Sequence, residues 1–302
     1  MIGPALLHSV SYAGLWGQRF LPLDDFVDRA AALGYDGVML MAKRPHLSLL
    51  DYGPDERAAL RSRIEKNKLK SVCIAAYTNF TADLEHGEIP QREMQIQHVV
   101  ELARCARDLG SNLIRVFTGY ENPAQSRGAQ WGHVVSSLRE CARRAAEFDV
   151  VIGVQNHHDI AASTEAMETL IQAVGEPNCK AMYDAWAPAL HGDDLDAAAR
   201  RMGSLAVHTT VANYVKLRRF SYNPALINYT AQTPELQAVP IDEGFIDYRA
   251  FFHALCAGGF KGSVAYEICS PVRDGGSEAV LDRYAGRFVE FLNEFKKEAA
   301  GQ

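Results

Sequence analysis

The sequence predicts an α/β fold, a single (β/α)8 TIM barrel, and three observations predict it. Short apolar runs alternate with helix-period segments eight times along the chain, with no linker rich in Pro, Gly or Ser to divide it. The length of 302 residues suits one such barrel, which typically needs about 250 residues. Four of the apolar runs also end in polar, ligand-type side chains: Gln155, Asp184, His208 and Glu267. Residues so distant in sequence converge only if parallel strands lie side by side with their C-terminal ends facing one way. A barrel of this kind carries its chemistry on that rim.

Taken in order, Ala5–Val10 is the first strand, apolar enough to be buried on both faces. Leu21–Asp25 opens a helix, with Asp24 and Asp25 placing negative charge in its first turn, where the helix dipole favours it. Phe26, Ala30 and Leu33 share one face of that helix and Gly34 ends it. Gly37–Met41 is the second strand, Asp55–Asn67 a charged helix and Ser71–Ala76 the third strand. Gln91–Leu109 is a long amphipathic helix closed by Gly110, and Asn112–Phe117 is the fourth strand. A helix over Trp131–Phe148 leads to the fifth strand, which starts at Val150 and ends in Gln155-Asn-His-His-Asp159. The helix Thr164–Val174 is stopped by Gly175 and Pro177 before the sixth strand, Cys179–Asp184. Leu195–Met202 and Leu205–His208 form the next helix–strand unit, Tyr248–Ala257 and Ser263–Ile268 the last, and Ser277–Glu298 closes the chain as a helix.

Two connections exceed the 2–6 residues typical of βα loops. Both the segment at about 119–130 and the segment at about 209–245 follow strands, so both rise from the rim. The second carries Tyr214, Arg218, Arg219, Phe220, Tyr222 and Tyr229. Long loops in this position are expected as lids or substrate walls, or as partner-binding insertions.

The bulk properties exclude several classes. A net charge of −6 argues against a nucleic-acid or anionic-membrane surface, which shows a basic patch. No apolar run reaches the roughly 18 residues of a membrane span. The six cysteines form no CxxC pair and have mostly apolar surroundings, as buried thiols of a reducing compartment do. With no basic segment followed by an apolar one at the N-terminus, a cytoplasmic protein is expected.

The constellation at the strand ends resembles that of the sugar phosphate isomerase/epimerase family, the xylose isomerase-like barrels. Its members include ketose 3-epimerases, inosose dehydratases, C-glycoside deglycosidase catalytic subunits and endonuclease IV. The resemblance covers nearly the whole chain. It implies one divalent metal held by Glu, Asp, His and Glu from the last four barrel strands. The Asp falls on Asp184, the His on His208 and the second Glu on Glu267, while the first Glu falls on Gln155. Such a donor set suits Mn²⁺ best, with Mg²⁺, Co²⁺ or Zn²⁺ as alternatives. The implied chemistry is polarisation of a sugar carbonyl and stabilisation of the enediolate left when a base removes the adjacent proton.

Gln155 is a departure with consequences. In the two-glutamate epimerases both glutamates exchange protons, and an amide cannot accept one at neutral pH. A one-base reaction is therefore expected, with β-elimination from a 3-keto-glycoside as its leading form. A sugar isomerase or ketose epimerase with a relocated base is the alternative, and a retired sugar- or partner-binding barrel a third reading. Side chains alternate along an extended strand, so His157 shares a face with Gln155 and is the expected base, with Glu267 as a second proton-exchanging group. His8, Tyr77, Arg115, Trp186 and His158 are candidate substrate contacts. Lys43, Arg44 and His46 follow the second strand and are read as a solvated loop, or else as a contact to an anionic or hydroxylated substrate. Many relatives carry a substrate-binding His three residues after the metal-ligand Asp; here Ala187 stands there, which points to a different substrate. The endonucleases need further His and Glu metal ligands at the ends of strands two to four, and the third strand here ends in Ala75-Ala-Tyr-Thr-Asn79 with no such ligand, which disfavours that reading. Either a homo-oligomer or a small β-rich partner subunit is compatible with this family.

Overall fold

Eight parallel strands close on themselves in the computed structural model, which describes residues 2–84 and 87–301. The barrel takes β1 (Ala5–His8), β2 (Gly37–Met41), β3 (Ser71–Ala75), β4 (Leu113–Val116), β5 (Val151–Gln155), β6 (Cys179–Met182) and β7 (Ala206–Val211) in chain order. After β7 the chain forms a two-stranded antiparallel ribbon, β8 (Asn213–Asn223) and β9 (Asn228–Val239). It then returns through a helix to β10 (Ser263–Tyr266), which pairs with both β7 and β1 and closes the barrel.

The helices are α1 (Leu23–Ala32), α2 (Pro54–Lys66), α3 (Gln91–Asp108), α4 (Arg127–Ala146), α5 (Thr164–Val174), α6 (Trp186–His191), α7 (Leu195–Met202), α8 (Tyr248–Ala257) and α9 (Glu278–Ala300). The eight expected helices are present, with three local differences. Helix α4 starts four residues before the expected Trp131, because the Ser126 side chain accepts from the Ala129 N–H and caps an earlier turn. The short α6 was not expected; Pro188 sits in its first turn, where a missing N–H is harmless, and Gly192 ends it at φ +79°. The first strand stops at His8, whose Nδ1 accepts from the Val10 N–H and turns Ser9–Tyr12 into a 3₁₀ turn.

Alternation along the strands sorts the barrel interior into layers. Leu6, Met39, Cys73, Ala75, Met182 and Ala265 form an apolar cluster inside the barrel, with Leu113 packed on it. A larger apolar cluster fills the space between sheet and helices. Gly153 belongs to the inner layer because Met182 occupies its side-chain space: a Cβ there would meet the Met182 sulfur at 2.4 Å. Two residues beyond this layer, on the same inward faces, the chain carries His8, Arg115, Gln155 and Glu267. The apolar layer is thus the floor on which a polar layer stands, at the C-terminal ends of the strands.

The long segment after β7 is neither coil nor an irregular lid. Its β8–β9 ribbon is mostly exposed and carries one apolar face, with Phe220, Tyr222 and Tyr229 in the open and the Tyr222 and Tyr229 rings 5.4 Å apart. All six cysteines are free. No helix among the described residues is long and apolar enough to cross a membrane.

Candidate active site

Gln155 and Asp184 meet at the centre of the polar layer. The Gln155 Nε2 donates to Asp184 Oδ2, and the Arg115 Nη1 donates to Gln155 Oε1 at 2.9 Å. Asp184 Oδ1 accepts the Thr210 N–H at 2.7 Å. Asn156 pins the Asp184 backbone from the neighbouring strand: its Oδ1 accepts the Asp184 N–H at 2.7 Å and its Nδ2 donates to the Asp184 carbonyl at 3.0 Å. Burial first, and the nearby Glu267 charge, push the Asp184 carboxyl up to about 8 despite these donors.

Glu267 lies against His8, with His8 Nε2 3.8 Å from Glu267 Oε2, and its Oε1 accepts from the Cys269 thiol at 3.3 Å. Burial raises its pKa too, against the pull of Arg115 and the Cys269 thiol. Since His8 Nδ1 is an acceptor, its proton sits on Nε2, facing Glu267. His208 is fully buried; its Nδ1 lies 2.7 Å from Ser263 Oγ and its Nε2 has no partner. Burial and Arg115 push His208 down to about 3, so the ring is neutral.

His157 and His158 form a relay with Tyr120. The His158 N–H donates to His157 Nδ1 at 2.9 Å, the two Nδ1 atoms are 2.9 Å apart, and His158 Nε2 is 2.8 Å from the Tyr120 hydroxyl. With Nδ1 accepting, the His157 proton sits on Nε2, and the neutral ring offers an N–H. In the expected role as base, Nε2 would accept a proton with a shift along the whole relay. Burial, His158 and Arg115 push His157 down to about 3, and burial chiefly brings His158 to about 4. His158 holds a left-handed backbone, φ +67°, a conformation that costs a non-glycine residue about 1–3 kcal/mol and clusters at functional sites.

Two cavities meet at this relay. The first, of about 330 Å³, is bordered by Lys43, Tyr77, Arg115, Gln155 and Glu267. The second, of about 370 Å³, is bordered by Glu121, Asn156, Asp184, Leu190 and His191. His157, His158 and Trp186 border both and form the partition. Trp186 stands edge-on to His157 at 5.5 Å and against Tyr214 at 5.1 Å. The first cavity also gathers the candidate substrate contacts other than His8: the Arg115 guanidinium lies 3.9 Å from the Phe117 ring centroid and 4.9 Å from that of Tyr77, and Lys43 Nζ lies 4.0 Å from the Tyr77 centroid. Of the three residues after β2, only Lys43 borders the cavity. Arg44 pairs with Asp51 in solvent, and His46 is buried against the Leu21 carbonyl.

The model of the xylose isomerase-like TIM barrel family matches residues 27–285. The chain belongs to that family. No curated protein matches it. Among solved structures, this xylose isomerase-like barrel is similar to a D-psicose 3-epimerase from Clostridium cellulolyticum H10 solved with D-tagatose, at 17% identity, TM-score 0.74, covering 97% of this chain and 99% of that one. It is similar to the probable 3-DHS dehydratase AsbF of Bacillus anthracis, involved in petrobactin synthesis, at 17% identity, TM-score 0.71, covering 96% and 99%. A xylose isomerase-like barrel from Mycobacterium smegmatis, in complex with magnesium, matches at 14% identity, TM-score 0.68, covering 97% of each chain. At these identities the likeness is one of fold.

For a divalent ion in this xylose isomerase-like barrel, the donor chemistry fits in kind. His208 keeps an unpartnered, buried Nε2 on a neutral ring, and the two dehydrated carboxyl groups of Asp184 and Glu267 feel Arg115 without a cation in direct contact. Their placement is less complete. Among the described residues no three His, Cys, Asp or Glu side chains are gathered around one point, and the Gln155 oxygen is engaged by Arg115. Asn156, Tyr120, Thr210, Ser263 and Cys269 support the site without having been singled out in the sequence. Asn156, Thr210 and Cys269, each next to or two residues from a predicted site residue, carried a positional signal.

Proposed function

We propose that this chain is a metal-dependent enzyme that enolises a keto-sugar or related polyol and then eliminates a leaving group, with a 3-keto-glycoside as the leading substrate. The observation that carries this reading is the pair of cavities joined at His157. One compartment of about 330 Å³ holds the polar groups suited to a sugar ring. The adjoining one of about 370 Å³ offers room for a leaving group, with Trp186 as a stacking wall.

The residues divide the reaction between them. Glu267, its pKa raised by burial, takes the proton from the carbon beside the carbonyl, and the C–H electron pair passes into the enediolate. As that pair returns, the bond to the leaving group breaks at the partition. His157 Nε2–H gives the departing atom its proton and is reprotonated through His158 and Tyr120. Arg115 and the His8 N–H stabilise negative charge developing beside them. Asp184, His208 and Glu267 would hold the metal, with Gln155 as a fourth donor if its oxygen is released from Arg115. Bound there, the ion supplies Lewis acidity toward the substrate oxygens.

An isomerase or epimerase reading is favoured by the fold likeness to ketose 3-epimerases. It needs a second base, and the position that the resemblance gives to one is an amide, Gln155. Incubating Mn²⁺-loaded protein with 3-keto-glycosides and, separately, with ketoses distinguishes the two. Release of the leaving group supports elimination; epimer formation without release overturns it. Loss of bound metal in Asp184→Ala, measured by elemental analysis, tests the donor set independently of activity.

A further inference from the structure

The wall of the first cavity opposite the carboxylates is built from two cations around one aromatic ring. Tyr77 lies between Lys43 Nζ, 4.0 Å from its centroid, and the Arg115 guanidinium, 4.9 Å from it. Arg115 is only 3% exposed. Its one side-chain hydrogen bond goes to a neutral group, the Gln155 amide oxygen, and its Nε and Nη2 have no partner. A guanidinium is always charged, and here Glu267 and Asp184 act on it only at longer range, with no carboxylate in direct contact among the described residues. The remaining donors, Nε and Nη2, are the two on one edge of the guanidinium plane. That edge matches a pair of oxygens on a single acid group. Lys43 adds a second positive charge on an exposed, flexible stem at the same wall.

Resting on the keto-sugar reading above, we propose that the substrate carries an acid group, and that Lys43 and Arg115 form the subsite for it. The shared chemistry is a sugar bearing a carboxylate or a phosphate ester, its anion against Arg115 and its ring over the polar layer toward Glu267. A neutral sugar leaves the Arg115 edge without a counter-charge.

Calorimetric titration of the full chain with D-glucuronate, D-glucose 6-phosphate and D-glucose tests this. The expected result is at least tenfold tighter binding of one anionic sugar than of D-glucose, weakening as salt is raised. Preference for glucuronate identifies a carboxylate, and preference for the phosphate ester identifies that group. Lys43→Met, at an exposed position, should reduce the preference several-fold, and Arg115→Lys should reduce it while keeping the charge, because the planar edge is lost. Equal binding of the three sugars, binding of neither anion, or an unchanged preference in Lys43→Met overturns the proposal. Release of a leaving group from a neutral 3-keto-glycoside is scored separately. Release without anion preference removes the acid subsite and leaves the elimination standing, whereas anion preference without release does the reverse.

Discussion

On one side of the rim, β6, β7 and β10 carry Asp184, His208 and Glu267 within or just past their ends, although the three side chains are not gathered around one point. There the carboxylates are dehydrated, the imidazole is neutral, and one ring nitrogen is buried without a partner. On the other side, the ends of β2, β3 and β4 set Lys43, Tyr77 and Arg115 in a stack where the buried guanidinium has no acid in direct contact. Arg115 acts on Asp184 and Glu267 across the pocket without touching either. Gln155 joins them, its amide N–H on Asp184 and its oxygen on Arg115. A glutamate in this position would join the carboxylate cluster; the amide instead insulates the acidic half from the basic one. On the proposals made above, a metal on the first half and an acid-bearing substrate across the second would complete both.

Removing the proposed base on the acidic half should have the largest effect. Glu267→Gln is expected to lower kcat by about 10²–10⁴-fold, the usual contribution of a positioned acid or base, with the circular dichroism spectrum unchanged. A loss under tenfold would move the base elsewhere. Joining the halves comes next. Gln155→Glu gives Arg115 a carboxylate and adds a third one near Asp184, so metal affinity should rise by about tenfold or more (about 1.4 kcal/mol) in a competition titration. Unchanged affinity would mean that this position does not face the ion. The smallest effect is expected from Arg115→Met on stability. Loss of an unpaired buried charge is favourable and loss of the Gln155 oxygen's partner unfavourable, so urea unfolding should shift by under about 2 kcal/mol. A larger destabilisation would show that Arg115 is held by the protein's own groups and is not reserved for a ligand.

Much of this architecture was legible in the sequence because barrel strands announce themselves. β2, β3 and β5 are apolar runs bounded by Gly, Asp or charged helix ends, and their inward residues alternate with a period of two. The same period places Gln155 and Glu267 two residues beyond Gly153 and Ala265. The β8–β9 ribbon was read only as a long loop, because its polar and aromatic residues alternate without a buried face to mark them as strand. Helix α6 was missed because Trp186-Ala-Pro reads as loop. The side of His157 that carries its proton depends on a single backbone N–H, that of His158, and no residue pattern encodes it. The charge division across the rim was also hidden: Lys43 reads as a solvated loop residue until the Tyr77 ring is placed beneath it.

The division of labour between Glu267 and His157 is tested most directly by His157→Asn in D₂O with a 3-keto-glycoside, following two signals by NMR. Deuterium entering the carbon beside the carbonyl reports proton abstraction, and free leaving group reports elimination. The account predicts that exchange persists within about tenfold of the unaltered protein while release falls by about 10²-fold or more, the size expected of a lost general acid. Equal loss of both signals would make His157 the base, and undiminished release would remove it from the reaction.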